Sequence, residues 1–495
     1  MKRMSGVDAA FLYGETTAWH MHVSGVMLID PSATPGGFSA DLLTQRIAER
    51  VHLVPQFRYK LVEVPLGIDR PCWVEDPNFD VSYHVRRIGV PPPGGPVELG
   101  NLIGDLVSYK LDRNIPLWEM WIIQGLADDK VAVLAKVHHS IVDGASGAEL
   151  ATVLFDLEPD PPPTAPAPPR TLDPVPSSAE LVARGVGRMM LSPYRFARFA
   201  EQSVRQGLKL IGLQRRDVAP AMPFQAPRTS FNAELTPHRR FVYTSVSLDD
   251  VREVKAAFGV KVNDVVLALC AGTLRRYLEM NDELPSTPLI AQVPVSMRAE
   301  GDSEVGTKVG AMFASLATDV ADPVARLGAI HESTQSAKEM QHALAADKIM
   351  GLTELTAPGL IALAARMYTA AGLDGVGPPI MNLIISNVPG PPFPLYTAGS
   401  KLEAIYPMGP LLYGAGVNIT VFSYEGRIDV GFMVCRELVP EPWTLAEGIG
   451  VALEELLAEA RDPQRARRLA EADERAATDF RAEIDAPNGA EGDPS

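Results

Sequence analysis

One stretch, Val131 to Gly147 (VAVLAKVHHSIVDGASG), sets the terms for the rest of the chain. Its opening run, Val131 to Val137, is apolar and rich in β-branched residues, which predicts a buried strand. His138 and His139 follow at once, and after three more residues come Asp143 and Gly144. A strand that ends in two histidines holds an imidazole on a rigid support at the edge of a core. Imidazole has an unperturbed pKa near neutrality, so it can take a proton from a hydroxyl and return it. The carboxylate of Asp143 can hold a ring or a loop in place, and Gly144 permits backbone angles that a Cβ resists. Two adjacent histidines also suit a satisfied pair in a strand-end loop, or half of a metal site. The full seven-residue pattern directly after a strand favours the catalytic reading.

Length and charge narrow the classes. At 495 residues the chain exceeds the size at which one core stops growing, so two domains are expected. The formal charge of −16 argues against a nucleic-acid partner, because a phosphate-binding surface needs a basic excess. Cys72, Cys270 and Cys435 are far apart and lack C-x-x-C spacing. They point to a reducing compartment, and to neither a disulfide framework nor a zinc site. The N-terminal residues have no long apolar core, so no secretory signal is expected. No window of about 18 uninterrupted apolar residues predicts a transmembrane helix.

The elements follow from periodicity and caps. Ser5 or Asp8 caps a short helix, and Met21 to Ile29 reads as a strand. His20 and His22 alternate there as a metal pair would, but no third ligand stands nearby at metal-site spacing. Ser39 to Val51 has helical spacing. Arg58, just after it, is a candidate partner for a buried carboxylate or a solvated surface residue. Pro71 to Val85 reads as a strand and turn with aromatic anchors. Leu99 to Tyr109 is an amphipathic helix, Met120 to Gln124 a strand, and Ala145 to Asp156 a helix that closes the first domain. In the second half, Phe241 to Val246 is a strand, and Leu248 to Ala257 and Val262 to Leu278 are helices. Val417 to Tyr424 and Arg427 to Cys435 form a hairpin around Glu425-Gly426. Trp443 to Ala460 is a helix.

Five segments carry a family likeness: HHxxxDG (His138 to Gly144), LDRxxPLWE (Leu111 to Glu119), Asn263-Asp264, Pro294-Val295-Ser296-Met297-Arg298, and Ser386-Asn387-Val388-Pro389-Gly390-Pro391. Together they resemble the bacterial wax ester synthase/acyl-CoA:diacylglycerol acyltransferases, relatives of the condensation-domain and chloramphenicol-acetyltransferase-like superfamily. The likeness covers nearly the whole chain apart from its tail. Thr307 departs from it, standing where asparagine is usual. The resemblance implies an α/β (α+β) fold of two chloramphenicol-acetyltransferase-like domains. Each is a mixed sheet flanked by helices, with the active site in a channel between them. It implies transfer of a long acyl group from acyl-CoA to diacylglycerol, making triacylglycerol, or to a long-chain alcohol, making a wax ester. It implies His139 as general base and His138 as a structural or hydrogen-bonding helper. Asp143 then fixes the loop by pairing with Arg298 or Arg58, with Gly144 at the turn. Asn263, Asp264, Ser386, Asn387 and the segment Pro116, Leu117, Trp118 are implied at the substrate. Read by themselves, Trp118 is a packing anchor, Asn263 an N-cap, and Ser386 to Pro391 a strand end and proline turn. No metal or cofactor is implied, and acyl-CoA is a substrate. A non-catalytic lipid-binding scaffold and a condensation-type enzyme using carrier-protein thioesters are the rival readings.

Composition divides the chain. Residues 1–158 form the first expected domain and 226–470 the second. Between them, nine of the eighteen residues from Pro159 to Pro176 are proline, which predicts an extended spacer. From Leu181 to Arg216 eight basic residues face one acid, Glu201, within an acidic chain. That stretch reads as a basic amphipathic surface for anionic lipid, or as helices packed on the protein with a solvated face. Leu355 to Tyr368 reads as a core or tunnel-lining helix, with an interfacial helix as the alternative. The last residues, 471–495, are expected to be disordered. The expected setting is cytoplasmic, with peripheral contact to a membrane or lipid droplet.

Overall fold

Local chemistry sets most element boundaries. The computed structural model describes residues 1–34, 36–141, 155–167, 174–190, 223–296, 309–343 and 377–463. The first half runs β1 (Lys2–Arg3), α1 (Gly6–Gly14), β2 (His22–Asp30), α2 (Ala40–Arg50), β3 (Tyr59–Val62), β4 (Cys72–Glu75), β5 (Val85–Gly89), α3 (Pro96–Val107), β6 (Trp118–Gln124) and β7 (Val131–His138). α4 (Ser178–Met190) leads to β8 (Arg239–Ser247), α5 (Leu248–Phe258), α6 (Val262–Met280), β9 (Ile290–Ser296), β10 (Val309–Ser315) and α7 (Pro323–Ala343). Then come β11 (Leu383–Pro389), β12 (Tyr396–Thr397), β13 (Ser400–Met408), β14 (Val417–Tyr424), β15 (Arg427–Cys435) and α8 (Trp443–Ala460). Ser5 and Ser39 cap α1 and α2, accepting from Asp8 N and Leu42 N at 3.1 Å each, as serine at a helix start does. α5 ends at Gly259, whose φ of 67° is the left-handed turn that stops a helix.

Two six-stranded mixed sheets organise these elements. Their orders are β12-β13-β2-β7-β6-β5 and β10-β9-β11-β14-β15-β8, and a three-stranded sheet, β1-β4-β3, stands beside the first. β7 lies between β2 and β6, and all eight of its residues are buried. Side chains alternate across a strand, so β7 feeds two cores. Val131, Val133, Ala135 and Val137 enter one, with Ala9 and Leu12 of α1. Ala132 and Leu134 enter the other, with Leu99 and Ile103 of α3. Burial on both faces is why the run is apolar throughout and does not alternate.

The sheets ignore the division expected at the proline-rich linker. β13 belongs to the second half of the chain but pairs antiparallel with β2, from Lys401↔Asp30 to Met408↔Ser24. It also reaches the second sheet: Ile405 N donates to Asp429 Oδ2 at 2.9 Å, and Ser245 Oγ donates to Asp429 Oδ1 at 2.6 Å. In return α3 packs on β8, where Gly100 and Gly104 admit the strand; a Cβ on them would lie 2.4 Å from Phe241 O and 2.7 Å from Arg239 O. The halves thus exchange elements.

The connecting segment is anchored at its start. Of the helix expected over Ala145 to Asp156, only the last two residues are among those described, and they are not helical: Asp156 forms an isolated antiparallel bridge with Tyr396. Its carboxylate pairs with buried Arg50, whose Nε donates to Thr164 Oγ1 at 3.2 Å. α4, the first part of the basic stretch, is docked on the protein. Leu181 packs with Val64 and Cys72, and Arg188 Nη1 donates to Asp69 Oδ2 at 2.8 Å. The rest of that stretch, Leu355 to Tyr368, and the C-terminal tail lie outside the described residues. Among those described, no single helix is long and apolar enough to cross a membrane. α5 and α6 pass that test only as a pair bent by 104°, and the apolar face of α6 fills a third core, against the second six-stranded sheet.

A Cβ on Gly431 of β15 would stand 2.0 Å from Pro407 O of β13. Gly431→Ala should therefore cost about 1–3 kcal/mol of stability, as overpacking does. Denaturant unfolding checks this, and an unchanged midpoint would show that the two sheets tolerate separation here.

Candidate active site

The two adjacent histidines are held by backbone bonds from different segments. His138 pairs with His22 across β2 and β7. His138 N donates to Leu117 O at 2.9 Å and His139 N to Met21 O at 2.7 Å. The first ring is buried and hydrogen-bonded through Nδ1. Ser140 N donates to His138 Nδ1 at 3.1 Å, and the Ser140 hydroxyl lies 2.6 Å from the same nitrogen. With Nδ1 accepting, the proton belongs on Nε2. That nitrogen faces Glu15 Oε1 at 3.4 Å, a charge contact without full hydrogen-bond geometry.

Glu15, which follows α1, is buried beneath the pair. Its Oε1 accepts from Met21 N at 2.9 Å and lies 3.6 Å from His22 Nε2. Its Oε2 accepts from Arg113 Nη2 at 3.0 Å. Burial by itself would raise this carboxyl, but His138, the Met21 N–H and His22 hold it well below the usual carboxylate range. The neighbouring imidazoles are pushed the other way. Burial, then the Arg239 charge, takes His20 down to about 4. Burial and the Lys136 cation hold His22 well below its ordinary value. Lys136 is itself buried, with Nζ donating to Leu106 O at 3.1 Å, Tyr109 O at 2.5 Å and Glu119 Oε1 at 3.0 Å.

His139 differs from its neighbour. It lies just past the strand end, is partly exposed, and its ring meets Phe11 of α1 at 4.8 Å between centroids. Its Nδ1 is sealed with no hydrogen-bond partner among the described residues, which leaves Nε2 as the nitrogen to offer a reactant. Burial pushes the ring below its ordinary range, so it is neutral at neutral pH. A neutral, partly open imidazole beside a clamped one is the arrangement a general base requires.

The wax ester synthase/diacylglycerol acyltransferase catalytic-domain family matches residues 4–266, and the C-terminal domain of the same proteins matches 305–457. A Mycobacterium tuberculosis protein named as a diacylglycerol O-acyltransferase is 39% identical over 463 residues, 92% of this chain and 90% of its own. The chain belongs to this family. The wax ester synthase/diacylglycerol acyltransferase from Marinobacter aquaeolei VT8 shares its structure with a TM-score of 0.67 at 31% identity, over 93% of this chain and all of its own. The first condensation domain of the calcium-dependent antibiotic synthetase is alike in fold alone, with a TM-score of 0.54 at 14% identity over 93% of this chain and 96% of its own. The two-domain chloramphenicol-acetyltransferase-like fold implied by the motifs is the fold found.

Other motif residues of this acyltransferase take varied places. Pro116, Leu117 and Trp118 are buried, the last two in the first core. Trp118 Nε1 donates to Phe57 O at 2.7 Å, and its ring stacks on His84 at 4.3 Å. The segment meets the site through its backbone, as Leu117 O holds His138 N. Asp264 is fully buried and spends its carboxylate on Lys261 N at 3.0 Å, Thr334 Oγ1 at 2.8 Å and His331 Nδ1 at 2.6 Å. It holds the start of α6. Lys261, not Asn263, is the N-cap of that helix. Asn263 instead accepts from Asn387 Nδ2 at 3.2 Å, joining two motifs. Ser386, beside Asn387 on β11, is partly buried. Arg58 lies 3.4 Å from Glu75. Asp143, Gly144, Arg298 and Thr307 lie outside the described residues. Sequence reasoning missed Glu15. No spacing rule marks it, because strand pairing alone brings it under His138.

Two pH responses follow. A base must be neutral to act, and burial lowers the pKa of His139, so the acid limb of kcat/KM should fall below about pH 6.5, the ordinary imidazole value. A midpoint at or above that value would contradict this placement of the ring. In stability, the unfolded chain binds a proton at His20 that the fold excludes. Its contribution is complete above about 6.5 and is lost as pH drops toward the folded value of about 4. His20→Gln should flatten that part of the stability profile, and equal slopes for the two proteins would refute the assignment.

Proposed function

We propose that this enzyme transfers a long-chain acyl group from acyl-CoA to diacylglycerol, forming triacylglycerol, with His139 as general base. The carrying observation is the neutral, partly exposed imidazole of His139 within HHxxxDG, beside a buried His138 whose Nδ1 is held by Ser140 and whose Nε2 faces Glu15. His139 Nε2 takes the proton of the acceptor hydroxyl as its oxygen attacks the thioester carbonyl. The tetrahedral intermediate then collapses, the carbon–sulfur bond breaks, and the imidazolium returns the proton to the CoA thiolate. A thioester is already activated, so this chemistry calls for neither a covalent enzyme intermediate nor a cofactor. The names of the mycobacterial relatives favour diacylglycerol as acceptor, and the Marinobacter protein's name keeps long-chain alcohols as the second reading.

The acceptor is lipid-soluble, and the proposal includes peripheral contact with a membrane or lipid droplet from the cytoplasmic side. Phe224, Ile380 and Tyr413 are 56%, 45% and 37% exposed. They are neighbours, since Phe224 N donates to Ile380 O at 3.4 Å and Asn232 Nδ2 reaches both Met381 O at 3.0 Å and Gly414 O at 2.7 Å. A cluster of large apolar side chains left in solvent supports such contact.

The purified protein should form triacylglycerol from palmitoyl-CoA and dioleoylglycerol, and His139→Ala should lose roughly a hundred- to ten-thousand-fold in rate. Undiminished ester formation by that variant would remove the base from the mechanism. Turnover with an acyl-carrier protein but not with free acyl-CoA would replace the donor.

A further inference from the structure

We propose that Glu15 is a positioning residue for acyl transfer: its buried carboxylate holds the proton of His138 on Nε2 and, through Met21, fixes the backbone of His139. The inference rests on the reading of His139 as base and extends it to a side chain outside the HHxxxDG motif. Two routes run from the carboxylate to the histidine pair. In the first, Oε1 faces His138 Nε2 at 3.4 Å while Ser140 N donates to the opposite nitrogen at 3.1 Å, so the ring has one tautomer and one orientation. In the second, Met21 N donates to Oε1 at 2.9 Å while Met21 O accepts from His139 N at 2.7 Å. A single residue thus connects the carboxylate to the base.

The burial of Glu15 is costly, and its surroundings show what offsets it. A buried carboxylate needs cationic or hydrogen-bonding partners. Arg113, from the segment before β6, supplies Nη2 to Oε2 at 3.0 Å and also donates to Leu12 O at 2.6 Å, tying the carboxylate to the end of α1. The charged and titratable groups around Glu15 are His20 and His22 beside and on β2, Lys136 and His138 on β7, and Arg113 before β6, with Lys110 and Arg239 acting on His20 from further out. Most of these are cations or potential cations. Glu15 is therefore the buried negative charge among them, opposing the lowering that burial imposes on His20 and His22.

Glu15→Gln keeps the shape and removes the charge. It should lower kcat roughly tenfold or more, as loss of a carboxylate behind a histidine does at metal-ligating (about 10–100-fold) and catalytic (about 10,000-fold) sites, with the KM for acyl-CoA little changed. It should also move the acid limb of the pH–rate profile to lower pH, since less negative charge disfavours the imidazolium. Arg113→Met removes a cation from the same carboxylate and should move that limb to higher pH. A residue that only supports the fold would lower the melting temperature and amplitude without opposed pH shifts. Wild-type kcat and profile in Glu15→Gln, or shifts of the two variants in the same direction, would overturn the proposal. If Glu15→Gln does not fold, the Arg113→Met profile alone decides, and an unshifted limb overturns it. Measured beside them, an active His139→Ala protein would instead defeat the reading of the base, so the two failures are distinguishable.

Discussion

A strand buried on both faces cannot leave polar groups unmatched, and β7 carries three such groups at or beside its end. Lys136 meets the requirement with two backbone carbonyls and Glu119. His138 meets it with Ser140 on one nitrogen and Glu15 against the other. Both solutions are forced by burial, since an unpartnered amine or imidazole in a core costs about as much as several ordinary hydrogen bonds contribute. His139 stands just past the strand and escapes the requirement in part. Its position outside the ladder leaves its ring partly exposed.

The support for that nitrogen comes from both halves of the chain. β13 completes the first sheet and α3 covers the second, so neither half has a closed surface without the other. Asp429 ties β13 to β8 through Ser245, and Arg239 donates to Ala18 O beside His20. The pair Arg50–Asp156 locks the beginning of the connecting segment to α2. Removing one partner of a buried pair costs about 3–5 kcal/mol because the other is left charged and unpaired. The relative placement of the two sheets is therefore set by packing and buried polar contacts, and the proline-rich segment adds to that placement at its anchored start.

Much of this was legible in the order of residues. The run from Val131 to Val137, the serine caps, the hairpin around Glu425-Gly426 and the helix from Trp443 to Ala460 all follow from short-range rules, and the structure has them there. Motif residues were less transparent, because a residue type does not say which way its side chain faces. Trp118 and Asp264 carry family motifs and lie in the interior, where they hold Phe57 O and the start of α6. Arg58 is paired with Glu75, one strand away, and strand register decides that.

The sequence by itself determined the secondary elements, the mixed α/β class and the histidine pattern, because periodicity, caps and turn chemistry act over a few residues. Only the tertiary structure decided that β13 would join the first sheet, that Glu15 would lie under His138, and that one histidine of the pair would be clamped and the other left open. Those outcomes depend on strand register and on where buried charge finds a partner. Such contacts join residues separated by more than a hundred positions, and no local pattern encodes them.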